Sequence, residues 1–167
     1  NNLSEYNFSN NIYVQGNYEN YRYFDQYKEE LSKFFVSKKE LIDHDYSIID
    51  KLSSSNSISI HIRRNRFSDQ VGLTDTKKNQ EKSDLFTNQI INYINKSTNF
   101  IERNVQNPQY FIWTNDQENF DQFANKLIIK KYDLINKNVI HDFDLFKYAK
   151  HFIVGPSSFH WWGAWLN

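Results

Sequence analysis

The chain has 167 residues, 39% hydrophobic and 17% aromatic, and its 20 Lys plus Arg balance 20 Asp plus Glu. It holds no Cys, which excludes a disulfide framework, a zinc–thiolate site and a thiol nucleophile, and its zero net charge offers no global field to draw in nucleic acid. No apolar run approaches 18 residues and the Asn-rich start has no signal-peptide character, so the expectation is a soluble, cytoplasmic protein of one domain or slightly more.

In chain order, Ile12-Tyr13-Val14-Gln15-Gly16 predicts a short strand ending at a glycine turn. A helix follows over 18–35, with Tyr23, Tyr27, Leu31, Phe34 and Phe35 at helical spacing. A second helix is expected over 41–52, and Ser53-Ser54-Ser55-Asn56 breaks the pattern as the best domain boundary. Ile58-Ser59-Ile60-His61-Ile62 alternates and is β-branched, which predicts a strand with Arg63 and Arg64 at its carboxyl end. The polar stretch 67–81 reads as a loop. The strongest helix signal covers 84–105, with Leu85, Ile90, Ile91, Ile94 and Ile101 on one face and Asp84 as its cap. A strand over 109–113 stops at Thr114-Asn115-Asp116, and a helix is expected over 117–127. A short helix over 142–150, capped by Asp142, precedes a buried strand at 151–154. Gly155-Pro156-Ser157-Ser158 then turns into a last helix over 159–166, with Ser158 as its cap.

Strands alternating with helices imply βαβ units and an α/β fold with a parallel, Rossmann-like sheet flanked by helices. Such sheets bind ligands beyond the carboxyl ends of their strands. Three chemically rich segments fall there: Arg63-Arg64, Thr114-Asn115-Asp116 and Gly155-Pro156-Ser157-Ser158. Each arginine offers a planar fork of donors that grips phosphate bidentately; a solvated basic turn pairing with Asp69 is the alternative. The N–H groups at the start of the last helix and the hydroxyls of Ser157 and Ser158 are suited to an anion, or to ordinary capping. Trp161, Trp162 and Trp165 form either a wall for base or sugar, or core. His61 shares a strand face with Arg63 and is a candidate general base or phosphate contact. Asp43-His44-Asp45 and Asp142-Phe143-Asp144 have the Asp-x-Asp spacing that holds Mg²⁺ with a nucleotide, but capping accounts for Asp142. No metal site is expected. With four Gly and no glycine-rich phosphate loop, dinucleotide and P-loop ATP binding are disfavoured.

Ser59-Ile60-His61-Ile62-Arg63-Arg64 resembles the H-x-R-R motif of the α-1,2-fucosyltransferases, glycosyltransferase family 11. Residues 150–167, ending Gly155-Pro156-Ser157-Ser158-Phe159-His160-Trp161-Trp162-Gly163-Ala164-Trp165-Leu166-Asn167, resemble that family's second signature, K-H-x-I-I followed by a small residue and N-S-T-F-S-W-W-G-A-W-L-N. Phe111-Ile112-Trp113-Thr114-Asn115-Asp116 is similar to its F-x-I-F-S-D-D strand, and Gln15-Gly16-Asn17-Tyr18 with Tyr23-Phe24 to its G-Y-x-Q-S-E-K-Y-F segment. Three departures stand out. Asn65-Arg66 replaces the usual Gly-Asp, Pro156 replaces Asn, and the family's N-terminal G-x-G-N-Q-x-F-Q-Y motif is absent.

The resemblance implies metal-independent, inverting transfer of L-fucose from GDP-fucose to a galactose-containing acceptor glycan, with no cofactor. It implies two Rossmann-like domains in a GT-B-like arrangement, of which 56–167 would be the C-terminal, GDP-fucose-binding domain and 1–55 an inter-domain helical segment with its leading strand. It places Arg63, Arg64, Ser157, Ser158, Phe159 and Trp162 at the donor, with Arg63, Arg64, His61 and Asp116 as the catalytic candidates. A place at the inner face of the membrane, by peripheral association, suits such an enzyme. The absence of Met and the Trp-rich end add the expectation of a fragment. A non-catalytic nucleotide- or sugar-binding module and a GDP-sugar transferase of other linkage are the alternative readings.

Overall fold

A computed structural model describes residues 20–35, 42–63, 76–114, 120–135 and 139–167. The expected strand at 12–16 lies outside them, as do Arg64, Arg66, Asn115 and Asp116.

Four parallel strands form one sheet: β1 (Asn56–Ile62), β2 (Pro108–Thr114), β3 (Tyr132–Ile135) and β4 (His151–Ile153), in the order β3-β2-β1-β4. Alternation along β1 sorts its side chains to two faces. Ile58, Ile60 and Ile62 join Ile90, Ile91 and Ile94 of helix α3 (Thr76–Asn104) and Phe120, Phe123 and Ala124 of α4 (Phe120–Ala124) in one core. On the other face, Phe111 and Trp113 of β2 pack with Ile48 and Leu52 of α2 (Asp43–Ser54) and with Leu145 and Phe146 of α5 (Val139–Phe146). Helices therefore cover both faces, as the alternating elements predict. Each fully buried Ile of β1 contributes about 1.5–3 kcal/mol through the apolar surface it removes from water.

The polar groups on β1's second face are used as fasteners. Trp113 Nε1 donates to Ser59 Oγ at 2.9 Å. Ser57 Oγ donates to the Leu52 carbonyl at 2.6 Å and accepts the Lys150 N–H at 2.9 Å, joining α2, β1 and the start of β4. The break expected over 53–56 narrows to Ser55, since α2 runs through Ser54 and β1 begins at Asn56, and α2 shares a core with the sheet.

Several expectations need correction. The segment 20–35 is not a continuous helix. Two 3₁₀ turns (Tyr21–Tyr23, Asp25–Tyr27) precede α1 (Lys28–Phe34), because the Asn20 side chain accepts the Arg22 N–H and starts a tight turn. Phe35 stacks on Trp162, while Phe34 is 82% exposed. The 67–81 loop is too long, since α3 begins at Thr76. Its first turns, Thr76 to Ser83, are polar throughout, so they carry no apolar periodicity. Asp84 is inside that helix rather than at its cap, accepting from Gln80 Nε2 at 2.9 Å. The helix expected over 117–127 is described only as Phe120–Ala124. That over 142–150 runs instead from Val139 to Phe146, so Asp142 lies in its first turn and not at its cap. Strand β3 was not expected at all. Ser157, not Ser158, is the N-cap residue of α6 (Ser158–Trp165). Among the described residues, no helix is long and apolar enough to cross a membrane.

Candidate functional site

The strand order places β2 and β3 on one side of β1 and β4 on the other. Connections that leave in opposite directions from neighbouring parallel strands open a crevice at their carboxyl ends, the usual ligand site of an open α/β sheet. Here that crevice lies between β1 and β4. Its walls are His61 and Arg63 from the end of β1 and Gly155, Pro156 and Ser157 from the β4–α6 turn, with Phe86 and Ile90 of α3 beside them. Its cavity is about 10 Å³, too small to enclose a diphosphate. Larger hollows of about 580 Å³ and 430 Å³ lie at the start of β2 and β3 and between α3 and α4. Neither lies where the strand ends meet a helix N-terminus, so volume is a poorer guide here than topology.

Arg63 is exposed at the crevice edge. His61, one residue short of the end of β1, has a buried Nδ1 with no hydrogen-bond partner. Burial, and then the Arg63 guanidinium, lower its pKa to about 4, so the imidazole is neutral at pH 7. Ser157 occupies the N-cap position without making a side-chain capping bond. Ser157 and Arg63 line the same crevice, one at the start of α6 and the other at the end of β1.

His160, two residues into α6 and 0% exposed, links the two walls. Its Nδ1 lies 3.1 Å from the Gly155 N and its Nε2 lies 3.3 Å from the His61 N. Burial, and then His61, hold its pKa at about 3. The sequence reading missed this residue. Contact across 99 positions of chain leaves no local signal, and a histidine inside a Trp-rich helix reads as packing.

The structure thus brings together Arg63, His61 and Ser157, with the Phe159 ring 5.2 Å from the His61 ring. Ser158 is exposed at the first position of α6. Trp162 lies apart from the crevice-lining residues: Phe24 is 5.4 Å away and Phe35 stacks on it at 5.0 Å, with Trp161 and Trp165 on its flanks. Those contacts are those of packing. Asp144 pairs with Lys147 at 3.5 Å, and Asp45 accepts the Ile42 N–H at 3.0 Å at the start of α2. Among the described residues, no group of three or more His, Asp or Glu is arranged to hold a metal ion.

The chain matches the sequence pattern of glycosyl transferase family 11 over residues 2–167. It is 29% identical to an alpha-1,2-colitosyltransferase of Escherichia coli, across 91% of this chain and 50% of that protein. It is 27% identical to the O-antigen biosynthesis glycosyltransferase WbnK of Escherichia coli, across 97% of this chain and 55% of that protein. The chain therefore spans about half the length of these curated relatives. No solved structure matches it.

Proposed function

This chain belongs to glycosyl transferase family 11, and on that premise we propose that it carries the donor side of a glycosyltransferase that moves L-fucose from GDP-fucose to a galactoside hydroxyl in surface-glycan synthesis. The observation that carries the reading is the crevice at the β1–β4 switch point, with Arg63 on one wall and the α6 N-terminus with Ser157 on the other. In the inverting reaction the acceptor oxygen forms a bond to the anomeric carbon as the bond from that carbon to the β-phosphate oxygen breaks. The electron pair stays on the departing GDP, and the acceptor proton passes to a base. Arg63 neutralises charge building on the β-phosphate, while Ser157 and the α6 N–H groups hold the same group from the other wall. Arg64, Ser158 and Phe159 extend this donor set in the proposal.

His61 is the weaker of the two base candidates. A group with a pKa near 4 has little drive to take a proton from a hydroxyl at neutral pH. Its unpartnered Nδ1 suits a hydrogen bond to the donor instead. Asp116, just beyond the end of β2, remains the candidate base in this proposal. No metal step is invoked.

Colitosyl transfer is a second reading, favoured by the name of the relative at 29% identity. Incubating the full chain with GDP-fucose or GDP-colitose and a galactoside, then determining product linkage, separates the two. The first reading expects fucosylated product in α-1,2 linkage and faster turnover of GDP-fucose. Faster turnover of GDP-colitose selects the second, and a folded chain that binds neither GDP-sugar contradicts both.

A further inference from the structure

The last residue pair joining β1 to β4 is Ile60–Ile153. Beyond it the chain leaves β4 for the 154–157 turn, and the next N–H on β1, that of His61, no longer faces a strand. His160 Nε2 lies against it at 3.3 Å. The other nitrogen of the same ring, Nδ1, lies 3.1 Å from the Gly155 N–H in the turn. The ring is held in place by Phe146 and His61, whose ring centroids each lie 5.4 Å from it. One fully buried side chain therefore spans the gap between the wall that carries Arg63 and the wall that carries Ser157.

The chemistry of the ring makes this span specific. Neutral imidazole has one acceptor nitrogen and one N–H, so it accepts from Gly155 or from His61 but not from both at once. The shorter contact, to Gly155, is the better bond. A protonated ring would aim two donors at two donors and would push the walls apart. A serine, which stands at this place in the related family pattern quoted above, is too short to touch both walls.

We propose that His160 is a positioning residue: it sets the separation of Arg63 and Ser157 across the switch-point crevice, and through that the affinity for the donor's diphosphate. This rests on the proposed reading of the crevice as the donor site. The effect follows from how steeply a charge-assisted hydrogen bond depends on distance, since both walls must reach one diphosphate together.

The test compares the full chain with its His160→Ser and His160→Gln variants in two measurements. Amide hydrogen exchange at Gly155 and His61, without nucleotide, reads the clamp itself. Titration with GDP reads its consequence. The expected result is faster exchange at the Gly155 amide, which holds the ring's acceptor nitrogen, and at least tenfold weaker GDP binding in His160→Ser. Partial recovery of both is expected in His160→Gln, whose amide oxygen can take the Gly155 N–H. A folded His160→Ser chain that binds GDP within twofold of wild type overturns the proposal. Should His160→Ser not fold, the wild-type amide signals decide: a shift at Gly155 and His61 on saturation with GDP supports the proposal, and no shift at either overturns it. Arg63→Ala separates this from the underlying reading. If wild type and Arg63→Ala bind GDP equally, the donor-site reading fails, whatever the exchange data say of the clamp.

Discussion

At the scale of single residues, the described part of the crevice combines an exposed cation, Arg63, with two uncharged histidines, His160 buried and His61 half-buried. Arg63 stands exposed at a strand end, at the edge of the crevice. In the proposed mechanism, replacing it with Ala removes a preorganised donor from the site of charge development, which typically costs about a hundredfold in rate or more. Steady-state kinetics should show that loss in kcat/KM for the donor, and a near-normal rate would remove Arg63 from the mechanism. The histidines make a different prediction. His61 and His160 have folded pKa values of about 4 and about 3, below the ordinary value near 6.5 of the unfolded chain. Below pH 6.5 the unfolded state takes up protons that the folded state refuses, so stability falls as pH falls through this window. The stability present above pH 6.5 is lost progressively toward pH 4 and pH 3. Denaturant midpoints measured from pH 7.5 to pH 4.5 should fall with pH, and His160→Gln should flatten the slope. A wild-type midpoint that is constant over that range would show that the rings are not buried as described. Arg63, Ser157 and Ser158 can be picked out from the sequence as phosphate candidates because phosphate chemistry favours their residue types at strand ends, and the structure places Arg63 and Ser157 in one crevice. The work of His160 was not, since it consists of contacts to two backbone amides that only the folded chain brings together.

At the scale of elements, what the sequence disclosed followed burial. Strand β1 alternates, β2 is a continuous apolar run, and Ile90, Ile91 and Ile94 of α3 recur at helical spacing; all of these fill the core, while Leu85, expected on the same face of α3, is 62% exposed. Strand β3 was invisible because it is a short edge strand. Tyr132, Asp133 and Leu134 are not buried, so Tyr132-Asp133-Leu134-Ile135 shows no alternation to read. The first turns of α3 were lost for the same reason. Gly163 is a point of close packing between α6 and α5. A Cβ on Gly163 would fall inside the Phe146 ring, which is itself fully buried under α6. Gly163→Ala should therefore displace Phe146 and destabilise the fold by about 1–3 kcal/mol, as overpacking does. Gly155→Ala is the control: its Cβ would meet the His61 carbonyl oxygen at an ordinary 3.5 Å, so it should change stability far less. Urea unfolding of the two variants checks this, and equal losses would contradict the packing described for α6.

At the scale of the whole molecule, the order β3-β2-β1-β4 is what turns scattered motifs into a site. The sequence placed three chemical segments at strand carboxyl ends but did not say which strands are neighbours. The structure puts the end of β1 beside the β4–α6 turn, so the Arg63 and Ser157 segments share one crevice, while Thr114 ends β2 on the other side of β1. Trp162, grouped with the donor residues in the sequence reading, packs instead with Phe24 and Phe35, because the segment before α2 folds back across α6. The most direct test of the account is calorimetric titration of this chain with GDP, with ADP and UDP as controls and with and without Mg²⁺. The account predicts binding that prefers GDP, needs no Mg²⁺ and weakens at least tenfold in Arg63→Ala. A folded chain that binds none of the three, or that binds GDP equally well without the Arg63 guanidinium, would contradict the assignment of the switch-point crevice as a donor site.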